Sequence, residues 1–378
     1  MRVLVLEEVA PETRVALIPD HVATLKGLGL DVAVVAGAGT GAFISDRAYA
    51  DAGADVVPAN LRNEAINRAD VVLSVRTLDE LDARRMKAGA LALCFLQPAA
   101  SANVLRELEK AQASAMSFEL IPRISRAQSM DALTSQALVG GYRAGLVAAE
   151  MLPKFFPLFM TAAGTIQPAR VLVLGAGVAG LQAIATAKRL GAIVSAYDVR
   201  PASADEVKSM GATFITLDLD ALEGAGGYAR EMSQDRAQRQ RELLTPYVAA
   251  ADVVITTAAV PGRPAPLLVT AQMVEQMKAG SVVVDLAAET GGNVEGSRPG
   301  QVVELGGALV WGAQDVPSQM PVHASQLYSA NVTAVLKLLT ADGQVSLDLE
   351  DEIVASALVI HDGVVRNEAA AQALAEGN

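Results

Sequence analysis

The sequence predicts an α/β protein made of two doubly wound, parallel-sheet domains joined by two long helices. Short apolar runs alternate with helical stretches along residues 1–130 and again along 165–315, the pattern of repeated βαβ units. The chain is 52% hydrophobic but only 4% aromatic, so its core is built from Ala, Val and Leu, which suits sheets covered by helices on both faces. At 378 residues it exceeds one ordinary domain, and two of ~150–200 residues are expected.

In order along the chain, Arg2-Val-Leu-Val-Leu-Glu7 opens as a strand with no signal-peptide pattern. Apolar runs at 32–36, 71–75, 91–96 and 115–120 follow, separated by helical stretches such as 21–28 and 102–112. Gly37-Ala-Gly-Thr-Gly-Ala42 also follows a strand, but no strand ending in an acidic residue arrives at the right distance. It reads as a plain β-to-α turn. A second series of runs covers 171–174, 193–197, 214–217, 253–256, 282–286 and 308–311. Long helices are expected over 131–152, stopping before Pro153, and 322–339, stopping before Gly343. The simplest partition is discontinuous: residues 1–135 with 325–378, and residues 136–324. A cleft at the carboxyl ends of both sheets is the expected ligand site.

The most informative segment is Arg170-Val-Leu-Val-Leu-Gly-Ala-Gly-Val-Ala-Gly-Leu181. A buried strand runs into Gly175, Gly177 and Gly180, the pattern G-x-G-x-x-G, and then into a helix over 181–190. Gly175 permits the tight turn, and Gly177 lets backbone N–H groups approach a pyrophosphate. Gly180 lets helix and strand pack closely. The next strand ends at Asp198, about 20 residues beyond the glycines, where a carboxylate can accept both ribose hydroxyls. Strand, glycines, helix, strand and acid in register predict dinucleotide binding. Asp198 favours NAD over NADP because it would repel a 2′-phosphate; Arg200, two residues on, opposes that preference.

The net charge of −12 argues against a basic nucleic-acid face. Cys94 is the only cysteine, so no intrachain disulfide forms, and its apolar run predicts a buried inert thiol. A reducing, cytoplasmic setting fits. The uncharged stretches 88–105 and 171–187 are interrupted by polar residues or the glycine motif, so no membrane span is expected. His21, His323 and His361 form no spaced cluster, and no metal motif exists.

Two segments admit a bland and a sharp reading. Pro122-Arg-Ile-Ser-Arg-Ala-Gln-Ser-Met-Asp-Ala-Leu-Thr-Ser-Gln136 is either a helix start capped by Ser129 or Asp131, or a set of donors and acceptors for a carboxamide and a ribose. Residues 223–241 join flexible glycines and Tyr228 to a charge-dense stretch. They form either a solvated loop and helix face or a mobile lid.

The combination of Arg-Ile-Ser-Arg-Ala-Gln-Ser-Met-Asp, Gly-Ala-Gly-Val-Ala-Gly, Tyr-Asp-Val-Arg, Gly-Gly-Tyr-Ala-Arg-Glu and Val-Pro-Gly-Arg-Pro-Ala-Pro closely resembles one family over essentially the whole chain. This is the NAD(H)-binding domain I, or α1 subunit, of proton-translocating nicotinamide nucleotide transhydrogenase. The resemblance implies two Rossmann-like domains joined by two helices. It implies a homodimer docked on membrane-embedded partner subunits, peripheral to the inner membrane. Hydride would pass from NADH here to NADP⁺ on a partner subunit, with proton translocation and Si/Re stereospecificity. It places the nicotinamide loop on Arg123, Gln128, Asp131 and Thr134, where the family usually has serine. It adds Val178, Asp198, Val199, Arg200, Gly227 and Leu268 as NAD-binding residues, makes Tyr228 the mobile-loop tyrosine, and favours the lid.

Alanine dehydrogenase shares the fold, and Glu12-Thr-Arg-Val-Ala-Leu-Ile-Pro19 resembles both families; Arg14 could bind a substrate carboxylate in the second. Amine oxidation needs a general base, and those dehydrogenases place a lysine and a histidine at two strand ends. Here the strands end in Ser74-Val-Arg76 and Phe95-Leu-Gln-Pro98, and neither a guanidinium nor an amide serves as base. Hydride exchange between nicotinamides needs alignment but no acid or base. A non-catalytic NAD-sensing module is the remaining reading.

Overall fold

Continuous apolar runs become strands because alternate side chains enter different cores. In the first strand Val3 and Val5 belong to one buried cluster and Leu4 and Leu6 to another. Val171 and Val173 are likewise separated from Leu172 and Leu174, as a period of two on a sheet buried on both faces requires. The computed structural model describes residues 1–219, 234–259 and 264–376. It divides into two units, residues 1–136 with 317 onward, and residues 137–316.

Residues 1–136 supply β1 (Arg2–Val5), β2 (Asp31–Val35), β3 (Asp55–Val57), β4 (Val71–Leu73), β5 (Leu91–Cys94) and β6 (Ser114–Ser117). The second unit opens with a solvent-exposed hairpin, β7 (Phe159–Thr161) and β8 (Gly164–Ile166). It continues with β9 (Arg170–Leu174), β10 (Ile193–Tyr197), β11 (Thr213–Phe214) and β12 (Val253–Thr256). Its last strands are β13 (Val282–Asp285), β14 (Val302–Leu305) and β15 (Ala308–Gly312). The chain then returns to the first unit through β16 (Thr340–Ala341), β17 (Gln344–Val345), β18 (Leu358–His361) and β19 (Val364–Val365).

The first sheet has the order β19-β18-β6-β5-β4-β1-β2-β3, with β18 antiparallel to both its neighbours and the other pairs parallel. The second has the order β11-β10-β9-β12-β13-β15-β14, with only β14 antiparallel. Both are doubly wound. The strand order reverses beside β1 in the first sheet and beside β9 in the second, the switch points whose carboxyl ends take ligands in such folds.

Several boundaries differ from the sequence pattern. The run 115–120 is strand only to Ser117, and Phe118–Leu120 makes a 3₁₀ turn. The run 214–217 yields just the two residues of β11. The glycine motif's helix begins earlier than its apolar periodicity, at Val178–Arg189. Gly37 to Ala42 is a turn closing in a 3₁₀ element, Thr40–Ala42, before a helix capped by Ser45. Gln234–Ala250 is helical and buries Gln240, so the end of the charged stretch is anchored. The earlier segment of the stretch, with Gly227 and Tyr228, lies outside the described residues. Cys94 is a buried free thiol, and burial pushes its pKa up.

Within the second unit, the helix Ala132–Met151 approaches Val178–Arg189 through two glycines. A Cβ at Gly141 would stand 2.1 Å from the Ala179 carbonyl oxygen, and one at Gly145 would stand 2.8 Å from Thr186 Cγ2. At Gly141 backbone meets backbone, beside the first turn of the helix that follows the glycine motif.

Candidate functional site

In the second unit, β9 delivers the chain into Gly175, whose φ of +97° admits glycine readily and strains other residues. Its N–H donates to the Tyr197 carbonyl at 2.9 Å and its carbonyl accepts from Thr257 Oγ1 at 3.0 Å. The helix Val178–Arg189 starts at Gly177, and no side chain caps it. Its first-turn N–H groups therefore face outward with the positive end of the helix dipole behind them. A Cβ on Gly177 would meet only Arg200 Nη2, at 4.0 Å, whereas one on Gly180 would stand 1.9 Å from the Gly175 oxygen. Gly180 is thus a packing glycine, and Gly177 borders open space.

Asp198 follows β10 directly, with its side chain only 7% exposed. Its Oδ2 accepts from Ala176 N at 2.7 Å and from Arg200 Nη2 at 2.9 Å. Its Oδ1 accepts from Arg200 N and Nε at 2.8 and 2.9 Å. The hydrogen bond to Asp198 raises the Arg200 pKa. Arg200 therefore neutralises the carboxylate that the sequence pattern expects to repel a 2′-phosphate. Val199 packs on the apolar cluster behind β10. Leu268 is buried and donates its N–H to the Asn293 carbonyl at 2.9 Å.

Sequence reasoning missed Asp285 and Asn293, both fully buried. Asp285 ends β13 and accepts from Thr256 Oγ1, Ala287 N and the N–H groups of Asn293 and Val294. Asn293 then accepts from Ala258 N at 3.0 Å and donates to the carbonyls of Ala258 and Pro266, each at 2.8 Å. This clamp fixes both flanks of the segment whose residues 260–263 lie outside the described ones. The available signal was an acid at a strand end followed by Gly291-Gly292-Asn293.

In the first unit, β6 leads through Pro122 into the 3₁₀ segment Ser125–Met130. Ala127 and Met130 are buried, while Arg123, Gln128 and Ser129 are exposed. Asn331 Nδ2 donates to the Ser129 carbonyl at 2.9 Å, and Arg126 pairs with Asp351 at 2.6 and 3.1 Å. Asp131 caps the helix Ala132–Met151: Oδ1 accepts from Thr134 N at 2.9 Å and Oδ2 from Thr134 Oγ1 at 2.6 Å. The capping reading of this segment is therefore realised by Asp131, and Thr134 supplies its partner.

Around the ends of β1 and β4 lies a buried charged network. Glu12 Oε1 accepts from Arg14 Nε at 2.8 Å and Ser318 Oγ at 2.6 Å, and its Oε2 accepts from Arg14 Nη2 at 2.7 Å and Arg76 Nε at 3.0 Å. Burial raises the Glu12 pKa, but the Arg14 guanidinium and the Ser318 hydroxyl overcome it and hold the carboxyl well below the ordinary range. Arg14 Nη1 continues to Gln136 Oε1 at 2.8 Å. The Arg14 guanidinium is thus engaged within the chain. Gln97 is exposed with a φ of +51°.

Glu8 accepts from Val75 N at 2.6 Å, Arg76 N at 3.3 Å and Ser74 Oγ at 3.1 Å. Burial pushes its pKa from 4.5 up to about 7. A carboxyl raised on folding stabilises most below pH 4.5, and its contribution is lost as pH rises through about 7. Thermal melts across that window are expected to fall more steeply for the parent chain than for Glu8→Gln. Equal slopes place the titration elsewhere.

His21 Nδ1 lies 2.7 Å from Ser329 Oγ, and burial lowers its pKa. Among the described residues, no group of three or more His, Cys, Asp or Glu is placed to hold a metal ion, and no helix is long and apolar enough to cross a membrane.

Residues 4–140 match the family described as alanine dehydrogenase/PNT, N-terminal domain, and residues 144–368 match its C-terminal domain. The chain is 45% identical over 379 residues to the first portion of the NAD(P) transhydrogenase alpha subunit of Rhodospirillum rubrum, covering 97% of each chain. It is 30% identical to the alanine dehydrogenase of Mycolicibacterium smegmatis, over 96% of this chain and 94% of that one. The crystal structure of a transhydrogenase from Sinorhizobium meliloti superposes with a TM-score of 0.87 at 42% identity, covering 97% of this chain and 100% of the other. The chain therefore belongs to the alanine dehydrogenase/PNT family, on the side of the NAD(P) transhydrogenase alpha subunits.

Proposed function

We propose that this chain binds NAD(H) and passes hydride from NADH to NADP⁺ held by a partner subunit, with transfer coupled to proton translocation across a membrane. The observation that carries the reading is the chemistry at the strand ends of the first unit. Arg76 pairs with Glu12, and Gln97 cannot titrate. Glu8 reaches the same place with a pKa raised to about 7, but its carboxyl is occupied by the backbone N–H groups of Val75 and Arg76 and by the Ser74 hydroxyl. These groups suit a reaction that moves no proton at the reacting carbons.

Bound NADH supplies the hydride. The chain's residues orient it and exclude water. Gly175, Gly177, Val178 and Gly180 present the turn and the uncapped N–H groups for the pyrophosphate. Asp198, Val199 and Arg200 take the adenosine ribose, with Asp198 exchanging an Arg200 bond for the hydroxyls. Arg123, Gln128, Asp131 and Thr134 hold the nicotinamide carboxamide and its ribose. Leu268, Gly227 and Tyr228 complete the contacts; the lid expected over residues 223–241 falls largely outside the described residues. The chain works as a homodimer, docked on membrane subunits and peripheral to the inner membrane.

The test mixes the chain with an NADP(H)-binding partner subunit and follows reduction of an NADP analogue by NADH, beside alanine with NAD⁺. Transfer only with the partner, and no alanine oxidation, is expected. Robust alanine oxidation by the chain alone moves it to the dehydrogenase reading. In nucleotide titrations Asp198→Ala should weaken NADH by ~1–3 kcal/mol and, by releasing Arg200, narrow the gap to NADPH.

A further inference from the structure

We propose that Asn331, Ser135 and Gln136 position the backbone beside Gln128 for hydride transfer, through a one-way hydrogen-bond chain whose direction is set by Arg14. The proposal rests on the assignment of Gln128 to the nicotinamide made above.

A guanidinium only donates. Arg14 Nη1, 2.8 Å from Gln136 Oε1, therefore decides which end of that amide is oxygen. Gln136 Nε2 must then donate, and it reaches Ser135 Oγ at 3.1 Å and the Ala324 carbonyl at 3.2 Å. Ser135, accepting on one side, turns its own proton to Asn331 Oδ1 at 2.7 Å, closer than the alternative Ala132 carbonyl at 3.1 Å. With its oxygen taken, Asn331 presents Nδ2 to the Ser129 carbonyl at 2.9 Å. Each amide has one orientation that satisfies both neighbours, and the source is itself held by Glu12 at 2.7 and 2.8 Å.

Glu12 (6%), Arg14 (8%), Gln136 (6%) and Asn331 (6%) are buried and Ser135 is half-buried, so most of the chain is shielded from water and polarises cooperatively. Its last bond grips the residue after Gln128, in a turn otherwise anchored by the buried Ala127 and Met130. Gln128 stays exposed while the peptide next to it is fixed. These are positioning residues: they set where Gln128 stands and leave the nucleotide contacts to others.

A role confined to holding the helices Ala132–Met151 and Pro321–Leu339 together predicts lost stability and lost binding in step. Positioning predicts a split. In single-turnover transfer from NADH to NADP⁺ with the partner subunit, Ser135→Ala and Asn331→Asp should be slower by ~10–100-fold. Their NADH affinity, by fluorescence titration, should stay within ~3-fold of the parent. Asn331→Asp keeps the acceptor for Ser135 but sets a carboxylate oxygen against the Ser129 carbonyl. Ser135→Thr keeps the hydroxyl and should restore the parent rate. Parent rates in Ser135→Ala and Asn331→Asp, while Gln128→Asn is slow, overturn the positioning role and leave the nicotinamide assignment standing. A parent rate in Gln128→Asn overturns that assignment and this proposal with it. Rate, affinity and melting temperature falling together, without recovery in Ser135→Thr, reduce the ladder to structure and also overturn it.

Discussion

Gly180→Ala is expected to abolish useful NADH binding. The new Cβ would stand 1.9 Å from the Gly175 carbonyl oxygen, 2.9 Å from the Gly175 carbonyl carbon and 3.1 Å from Thr257 Oγ1. The obstructing atoms are backbone, and that carbonyl is held by the Thr257 hydroxyl at 3.0 Å, so relief requires opening the turn itself. Overpacking of this kind costs ~1–3 kcal/mol of stability. Displacing the helix start should weaken NADH by ~100-fold, about 2.8 kcal/mol. Gly177→Ala is the informative companion. Its Cβ meets nothing nearer than Arg200 Nη2 at 4.0 Å, so the fold should melt as the parent does while NADH affinity still drops by ~10-fold, because backbone approach to the pyrophosphate is blocked. Fluorescence titration and thermal melts of both variants separate the roles. Parent affinity in Gly177→Ala would remove the pyrophosphate from that space.

Gln128→Asn should slow hydride transfer by ~100-fold in the complex with the partner subunit while NADH affinity changes little. Gln128 projects from a 3₁₀ segment whose neighbours Ala127 and Met130 are buried. The backbone cannot follow a side chain shortened by one methylene. Two nicotinamide rings must sit about 3–3.5 Å apart and aligned, while the proposed pyrophosphate and ribose contacts lie on other residues. Single-turnover rates beside NADH titration measure the split, and an unchanged rate takes Gln128 out of the site.

Doubly wound architecture was legible because strands such as β9 and β13 are unbroken apolar runs bounded by turn residues, and sheets buried on both faces leave that trace. β3 was not legible: it has three residues, one of them the exposed Asp55. The β7–β8 hairpin was hidden for the opposite reason, since it buries nothing within its own unit and so carries no inward pattern. At the candidate site, the glycine turn was readable because each glycine answers a local backbone demand. Glu12, Arg14 and Gln136 were not. Charged and amide side chains predict solvent, and partners distant in sequence, Ser318 for Glu12 and Arg14 with the Ala324 carbonyl for Gln136, allow their burial. The position of Asp198 after a strand was legible while its pairing with Arg200 was not, because pairing depends on a side-chain path that spacing does not encode.

Short edges close both sheets. The first ends in β19, of two residues, and β3, of three; the second ends in β11, of two, and β14, of four. A chain that is 52% hydrophobic is at constant risk of recruiting a neighbour's strand onto an unpaired edge, and edges this brief offer few backbone groups for such growth. The long, aggregation-prone runs of Val, Leu and Ile are kept in the middle of each sheet, where both flanks are occupied. Colloidal behaviour is therefore encoded at the periphery of the sheets, and substitutions that extend β11 or β19 by replacing their turn residues with β-branched ones should bring precipitation before any loss of fold.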